Sequence, residues 1–410
     1  MTFFSFGKKR NITVAVIFDI GSASVGAALT LIRPDKKPHV VYHTRRYMVF
    51  QNEFDFDRFL ASMLGALAHA ARDVERHGLT RLTFPEGVSR RVDHILCSYA
   101  SPWYLSEARS LTMRKEKPFV LTREVIHDLI AKQEAVLEKE GKEHYGGALD
   151  GHLDVIEKSV TGIKLNGYAV PDPYGRRATA AQFMLTVAAM PRELKRRVED
   201  AIGRIFHLER ITHHSFPVVG CAVAARYLKA PEVFLFIDVS GEVTDVALVT
   251  EDGLVELVSF PNGTHHLLRE LTKTLGISSD EARSLLALYR AGAAGNNVRQ
   301  GLERALSAAQ SAWLENFARA LGTWSAEMPL PGDVLLAASE WAGDVFGSFA
   351  SGIPQAKGAV VRIIDASLLE PYVTFREKTD FDPFLGLAAL YLHDDMRSAA
   401  AYPREGIAPR

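Results

Sequence analysis

Two cysteines, Cys97 and Cys221, are all that the 410 residues contain. So few thiols exclude a disulfide-built secreted scaffold and a thiolate metal cluster, and they fit a reducing compartment. Long apolar runs are missing too: no uninterrupted stretch approaches the roughly 18 residues that a membrane-spanning helix needs. Charge of one sign is not in excess, since 48 Lys and Arg stand against 49 Asp and Glu, a net of −1. That balance gives the chain no general attraction to a phosphate backbone, so nucleic acid is not an expected partner. Low-complexity segments are absent. Phe3, Phe4 and Phe6 precede Lys8, Lys9 and Arg10, the reverse of a secretory signal, so the chain reads as cytoplasmic. What is there is ordinary globular material, 47% hydrophobic and 24% charged, at a length that suggests roughly two to four domains.

Ile12 to Asp19 is a β-rich run, Gly21 and Ser22 break it, and Val25 to Ile32 returns as a second strand. Val40 to Tyr42 begins a third, after which Phe56, Phe59, Leu60, Met63, Leu64, Leu67 and Ala71 recur at helical spacing. The same plan returns far downstream. Val233 to Ile237 ends at Asp238, Ser240 and Gly241 turn the chain, Val246 to Val249 runs back, and Leu254 to Phe260 forms a third strand. Two strand-Asp-turn-strand units suggest a duplicated α/β domain. Two unrelated hairpins are the alternative, because Asp before a Gly turn is common.

Between the units the texture changes. A strand at His94 to Ser98, a helix capped by Thr122, strands at His152 to Val160 and Gln182 to Ala189, and a helix opened by Pro191 suggest a compact α+β insertion. The late region carries helical spacing over His265 to Leu275, Ser279 to Tyr289 and Val298 to Leu321, with short strands at Val334 to Leu336 and Val360 to Ile364. Asp382 and Pro383 start a last helix through Leu392.

Two hairpins facing across a cleft make a phosphate site, because turn glycines let backbone N–H groups approach the phosphates. The groups are Asp19, Gly21 and Ser22 on one side and Asp238, Gly241, Thr244 and Asp245 on the other. Asp19 and Asp238 can hold magnesium, usually through its waters. The same residues also serve tight turns that bind nothing. The adjacent pairs His213-His214 and His265-His266 lack the helical spacing that brings two ligands to one metal.

Phe18-Asp19-Ile20-Gly21-Ser22 and Asp238-Val239-Ser240-Gly241-Glu242-Val243-Thr244-Asp245 resemble the two phosphate motifs of the actin-like ATPase superfamily. Phe260-Pro261-Asn262-Gly263-Thr264, with Glu281-Ala282 further on, is similar to the FtsA and PilM group within it. The resemblance implies an α/β, actin-like (Hsp70-type) duplicated fold of two lobes. It divides the chain into a leader over 1–11, lobe I over 12–93 and 191–230, an inserted FtsA/PilM-type α+β domain over 94–190, lobe II over 231–395 with a helical subdomain over about 262–330, and a flexible tail over 396–410. It also implies ATP and magnesium as cofactors, and adds Ser240, Gly263 and Arg283 to the nucleotide-binding set.

The departures oppose nucleotide. Glu242 replaces a motif glycine and is expected to place a carboxylate where a phosphate would lie, so Glu242→Gly should strengthen binding. Phe216-Pro217 stands where Hsp70-type relatives have a Glu-Pro pair. Ala337-Ala338-Ser339-Glu340 stands where relatives have a glycine-rich turn under the adenosine, and Leu286 takes the place of a basic residue for which Arg283 substitutes. The expected function is a scaffold with weak or lost ATP binding. It would recruit protein partners of the division or pilus apparatus at the inner face of the membrane, with self-association part of that reading and any tether at the N-terminus. The alternative is an ATP-dependent phosphotransferase resembling the sugar and acetate kinases.

Overall fold

The computed structural model describes residues 12–401 except 82, 84–87, 89, 146–148, 150, 171, 208–210, 323, 325–329, 355–357, 359 and 377–380. The N-terminal leader and the end of the tail lie outside the described residues. The chain opens with the meander β1 (Thr13–Ile20), β2 (Ser24–Arg33) and β3 (Lys36–Tyr47). Nearly every residue of β1 and β2 is buried, because helices or the opposite lobe cover both faces of this sheet. Helix α1 (Phe56–Asp73) is capped by Asp55, whose side chain accepts from the Arg58 N–H. It continues as a π-helical stretch over Val74–Thr80.

Strand β4 (His94–Tyr99) runs parallel to β1, pairing Asp19 with Ser98, so it belongs to the lobe I sheet and not, as expected, to the insertion over 94–190. The insertion follows, as β5 (Leu105–Val120), α2 (Arg123–Tyr145), β6 (Leu153–Leu165), β7 (Tyr168–Ala169) and β8 (Arg177–Pro191). Its sheet, ordered β5-β8-β6-β7, packs on α2 around Ile126, Ile130, Phe183 and Val187. Then come α3 (Arg192–Phe206), β9 (Ile211–Ser215) and α4 (Phe216–Tyr227), with β9 completing the lobe I sheet beside β4.

Lobe II repeats the plan with β10 (Phe234–Val239), β11 (Val243–Thr250), β12 (Gly253–Pro261), α5 (Thr264–Leu275), α6 (Ser279–Arg290), α7 (Asn296–Ala320), β13 (Asp333–Ala338), α8 (Gly343–Ser351) and β14 (Val360–Ile363). Its strand order β12-β11-β10-β13-β14 matches β3-β2-β1-β4-β9 in lobe I, each sheet an antiparallel meander extended by two parallel strands. The duplication expected from the two hairpins is present.

After α9 (Ala366–Leu369), the chain returns to lobe I through β15 (Thr374–Phe375), which pairs with β3, and α10 (Pro383–Ala401). The assignment of 231–395 to lobe II is therefore corrected at its end. The last helix also runs past Leu392, into the segment expected as tail. Asp394 anchors this part, accepting from the Tyr227 hydroxyl at 2.5 Å and pairing with Arg226 at 3.2 Å. Below the cleft the two lobes share one apolar core, in which Ala15 and Ile17 meet Phe216 and Val219 of α4, Phe236 and Ala247 of lobe II, and Leu385 of α10.

Candidate functional site

The turns that follow β1 and β10 meet each other. Ser240 Oγ accepts from the Ser22 N–H at 3.0 Å and lies 3.0 Å from Ser22 Oγ, and Ser22 Oγ accepts from the Glu242 N–H at 2.9 Å. The approach is so close that a Cβ on Gly241 would stand 2.4 Å from the Ser22 carbonyl oxygen. One on Gly263 would stand 2.4 Å from the carbonyl oxygens of Ser240 and Gly241. Glycine is needed at both positions, but what comes close is the protein's own backbone. Other N–H groups of the turns are also taken: Gly21 donates to Ser24, Thr264 to Ser240, and His265 to Gly241. The Gly21 carbonyl accepts from the Trp103 indole at 2.8 Å.

Beneath the turns lie the acids. Asp19 and Asp238 sit at the ends of β1 and β10, 2% and 1% exposed, and the Asp19 charge disfavours that of Asp238 across the lobe junction. Asp19 is held by Arg45 of β3, whose Nη2 donates to its Oδ2 at 2.8 Å. The same guanidinium donates to Asp382 at 2.7 and 3.0 Å and to Ser24 Oγ at 2.9 Å. Burial pushes the Asp19 carboxyl up to about 6, against the pull of Arg45. Burial also disfavours the Asp382 charge, but Arg45 outweighs it and holds that carboxyl below its ordinary value.

Asp238 is different. Neither of its oxygens has a hydrogen-bond partner, and burial, with Asp245 and Asp19 nearby, raises its pKa well above the carboxylate range. Asp245 accepts from Ser259 Oγ at 2.5 Å, the Tyr104 hydroxyl at 3.3 Å and the Ser101 N–H at 3.4 Å, which ties lobe II to the start of the insertion. Burial raises its pKa as well.

Glu242 does not enter the cleft, which corrects the sequence expectation. Its carboxylate turns outward, takes both Arg269 Nη groups at 2.7 and 2.8 Å, and lies 2.9 Å from His265 Nδ1. Burial opposes its charge, but His265 and Arg269 prevail and lower the pKa. Arg269 also donates to the Gln51 carbonyl of lobe I at 3.0 Å, so the group read as a repellent is part of a latch between lobes. The gain in nucleotide binding expected of Glu242→Gly loses its basis.

The turn after β13, where the resemblance places the adenosine, is held by contacts within lobe II and with Tyr47. Ala337 and Ala338 belong to β13, paired with Asp238 and Val239, so the turn starts only at Ser339. The Arg283 guanidinium lies 5.1 Å from the Tyr47 ring centre and 5.4 Å from that of Trp341, while Arg290 donates to the Trp341 carbonyl and pairs with Asp344. Leu286 is core. Open space lies outside the turns, in a groove of about 600 Å³ lined by Phe50, Asn52, Arg269, Lys273 and Ile277.

The structure thus brings together Asp19, Gly21, Ser22, Asp238, Ser240, Gly241, Asp245 and Gly263. It sets two residues apart: Thr244 Oγ1 faces the lobe II core, donating to the Asn262 carbonyl and accepting from the Trp313 indole, and Arg283 stands between its two rings. Sequence reasoning missed Arg45, Ser101, Trp103, Tyr104, Ser259 and Arg269, and saw Asp382 only as a helix cap. A detectable signal was Gly26 opposite Arg45, a residue without a side chain beside a half-buried guanidinium.

As a seat for ATP and magnesium, the arrangement fits in one respect only. The bare Asp238 carboxyl suits a cation, but Arg45 occupies Asp19, and the Ser22 backbone fills the space beside Gly241. Among the described residues, no three His, Cys, Asp or Glu side chains are grouped to hold a metal ion, and no helix is long and apolar enough to cross a membrane.

No model of a known protein family matches the chain, and no curated protein matches it in sequence. Solved structures do match in fold. The PilM–PilN type IV pilus biogenesis complex matches over 94% of this chain and 98% of that one, at 14% identity and a TM-score of 0.60. The ethanolamine utilization protein EutJ of Carboxydothermus hydrogenoformans matches over 92% and 89% at 13% identity and 0.43. MreB 5 of Spiroplasma citri, bound to AMPPNP, matches over 95% and 97% at 11% identity and 0.42. The fold is the actin-like ATPase fold.

Proposed function

We propose that the chain is an actin-fold scaffold of the FtsA/PilM kind, with its cleft held shut by its own side chains rather than by ATP and magnesium. It recruits protein partners at the cytoplasmic face of the membrane in pilus or envelope assembly or in cell division. The observation that carries this reading is the direct contact of the two phosphate-type turns through Ser22, Ser240 and Glu242. Arg45 supports it by supplying, from within the chain, the positive charge that Asp19 would otherwise take from a metal ion. The likeness to PilM, a member of a pilus biogenesis complex, favours the pilus side of the reading.

Calorimetric titration of the whole chain with ATP and magnesium is the test. The expected result is no saturable binding at micromolar nucleotide. Tight binding with phosphate release would overturn the reading and favour the phosphotransferase alternative, for which Asp238 offers a carboxyl without a hydrogen-bond partner among the described residues.

A further inference from the structure

The inserted domain ends, away from the cleft, in a cluster of exposed cations that form no ion pair among the described residues. Strand β5 leaves the junction near Ser101, and its pairing with β8 from Ala189 to Arg177 carries its last residues about 40 Å along the sheet at about 3.3 Å per residue. There Arg114 pairs with Ala180, Phe119 with Ala178 and Val120 with Arg177, so the end of β5 lies beside the start of β8. Arg114, Lys115, Lys117 and Arg177 are all exposed, and none takes part in an ion pair among the described residues. Lys115 only lies over the Phe119 ring, 5.2 Å from its centre.

The acids beside them in sequence are Glu116, Asp172 and, in the first turn of α2, Glu124. In a chain whose net charge is −1, four such cations are a local excess and not a reflection of composition. Two apolar side chains stand at the same end of the sheet, Val120 at 40% exposure and Tyr168 at 77%. The turn of Asn166 is fastened to this end by its contacts with Thr179 and Ala180. The domain is also fixed to lobe II by Lys164 on Asp252 at 2.5 Å.

We propose that this end of the inserted domain is a docking surface for an anionic phospholipid bilayer, with the four cations over the headgroups and Val120 and Tyr168 entering the boundary region. Charge complementarity selects the partner: each Lys or Arg near an anionic leaflet adds attraction, and exposed apolar side chains among them add burial that a purely electrostatic partner would not repay. Single-stranded nucleic acid would call for a row of stacking rings along a basic groove, and this surface offers one exposed ring at the end of a sheet. The inference deepens the membrane-face part of the proposed function and rests on it, while being independent of the closed cleft.

The test is cosedimentation of the full chain with vesicles of phosphatidylcholine and phosphatidylglycerol in equal parts, and with phosphatidylcholine alone. Binding is expected to the first and not the second, weakened by salt, and reduced by about tenfold or more in Arg114→Glu/Lys117→Glu. The milder Lys115→Gln/Lys117→Gln/Tyr168→Ser should lose part of it with an unchanged melting temperature. Deletion of residues 2–10 should leave most of the binding. Unchanged partitioning of both patch variants, equal binding to neutral vesicles, binding that depends wholly on residues 2–10, or a patch that binds a nucleic-acid homopolymer and no vesicle would each overturn the proposal. Failure here with no ATP binding in calorimetry would remove the lipid surface and leave the closed-cleft scaffold standing.

Discussion

Arg45 holds two buried carboxylates and a serine with one guanidinium, and its planar fork suits a pair of acids at fixed angles better than an ammonium would. Arg45→Met keeps the volume but leaves Asp19 and Asp382 without their cation. Urea unfolding should show a loss of about 3–5 kcal/mol, partly recovered by adding Asp19→Asn. Asp238 presents the opposite case, a carboxyl whose folded pKa lies above its unfolded one. Below the unfolded value both states are protonated and the group costs nothing. As pH rises past it, the unfolded chain ionises while the native carboxyl keeps its proton, so stability falls. Asp238→Asn should therefore be more stable than the parent at pH 7, with the advantage shrinking as pH drops through the ordinary carboxylate range. Equal unfolding midpoints at neutral pH would contradict this. These roles were not legible in the sequence: Asp19 and Asp238 stood out because each ends a strand before a glycine turn, but the cation on Asp19 comes from β3 and the Asp382 carboxyl from the far end of the chain.

Among the elements, the two meanders could be read directly, since apolar runs broken by Gly21 and Gly241 leave few other conformations. Strand β5 could not. Its charged Lys115 to Pro118 stretch breaks the pairing with β8 between Arg114 and Phe119, an irregularity that charge and proline make tolerable on an edge strand, and β5 pairs only with β8. The reach of α10 past Leu392 was hidden for a related reason, because Asp394 and Asp395 read as the end of a helix until Tyr227 and Arg226 are seen to hold Asp394. The turn after β10 yields a prediction at this scale. Gly241→Ala inserts a methyl group against the backbone of Ser22, where no flexible side chain can give way. The lobes must separate locally, at a cost of about 1–3 kcal/mol in thermal or urea unfolding. Gly276→Ala meets no neighbouring atom, so its cost comes from positive φ alone and leaves the turn contacts intact.

As a whole molecule, the chain keeps the duplicated actin-like plan and fastens its halves at two levels. A common apolar core joins them at the base, and polar contacts among Ser22, Ser240, Glu242, Asp245 and Tyr104 join them above it. In this account the second level makes nucleotide unnecessary for closure. The most direct measurement is residue-resolved amide hydrogen exchange at Ser22 and Glu242, whose N–H groups donate across the junction, with and without ATP and magnesium. Both amides should exchange slowly in the free protein and show no change on adding nucleotide. Rapid exchange in the free protein that becomes slow only with ATP and magnesium would contradict that closure.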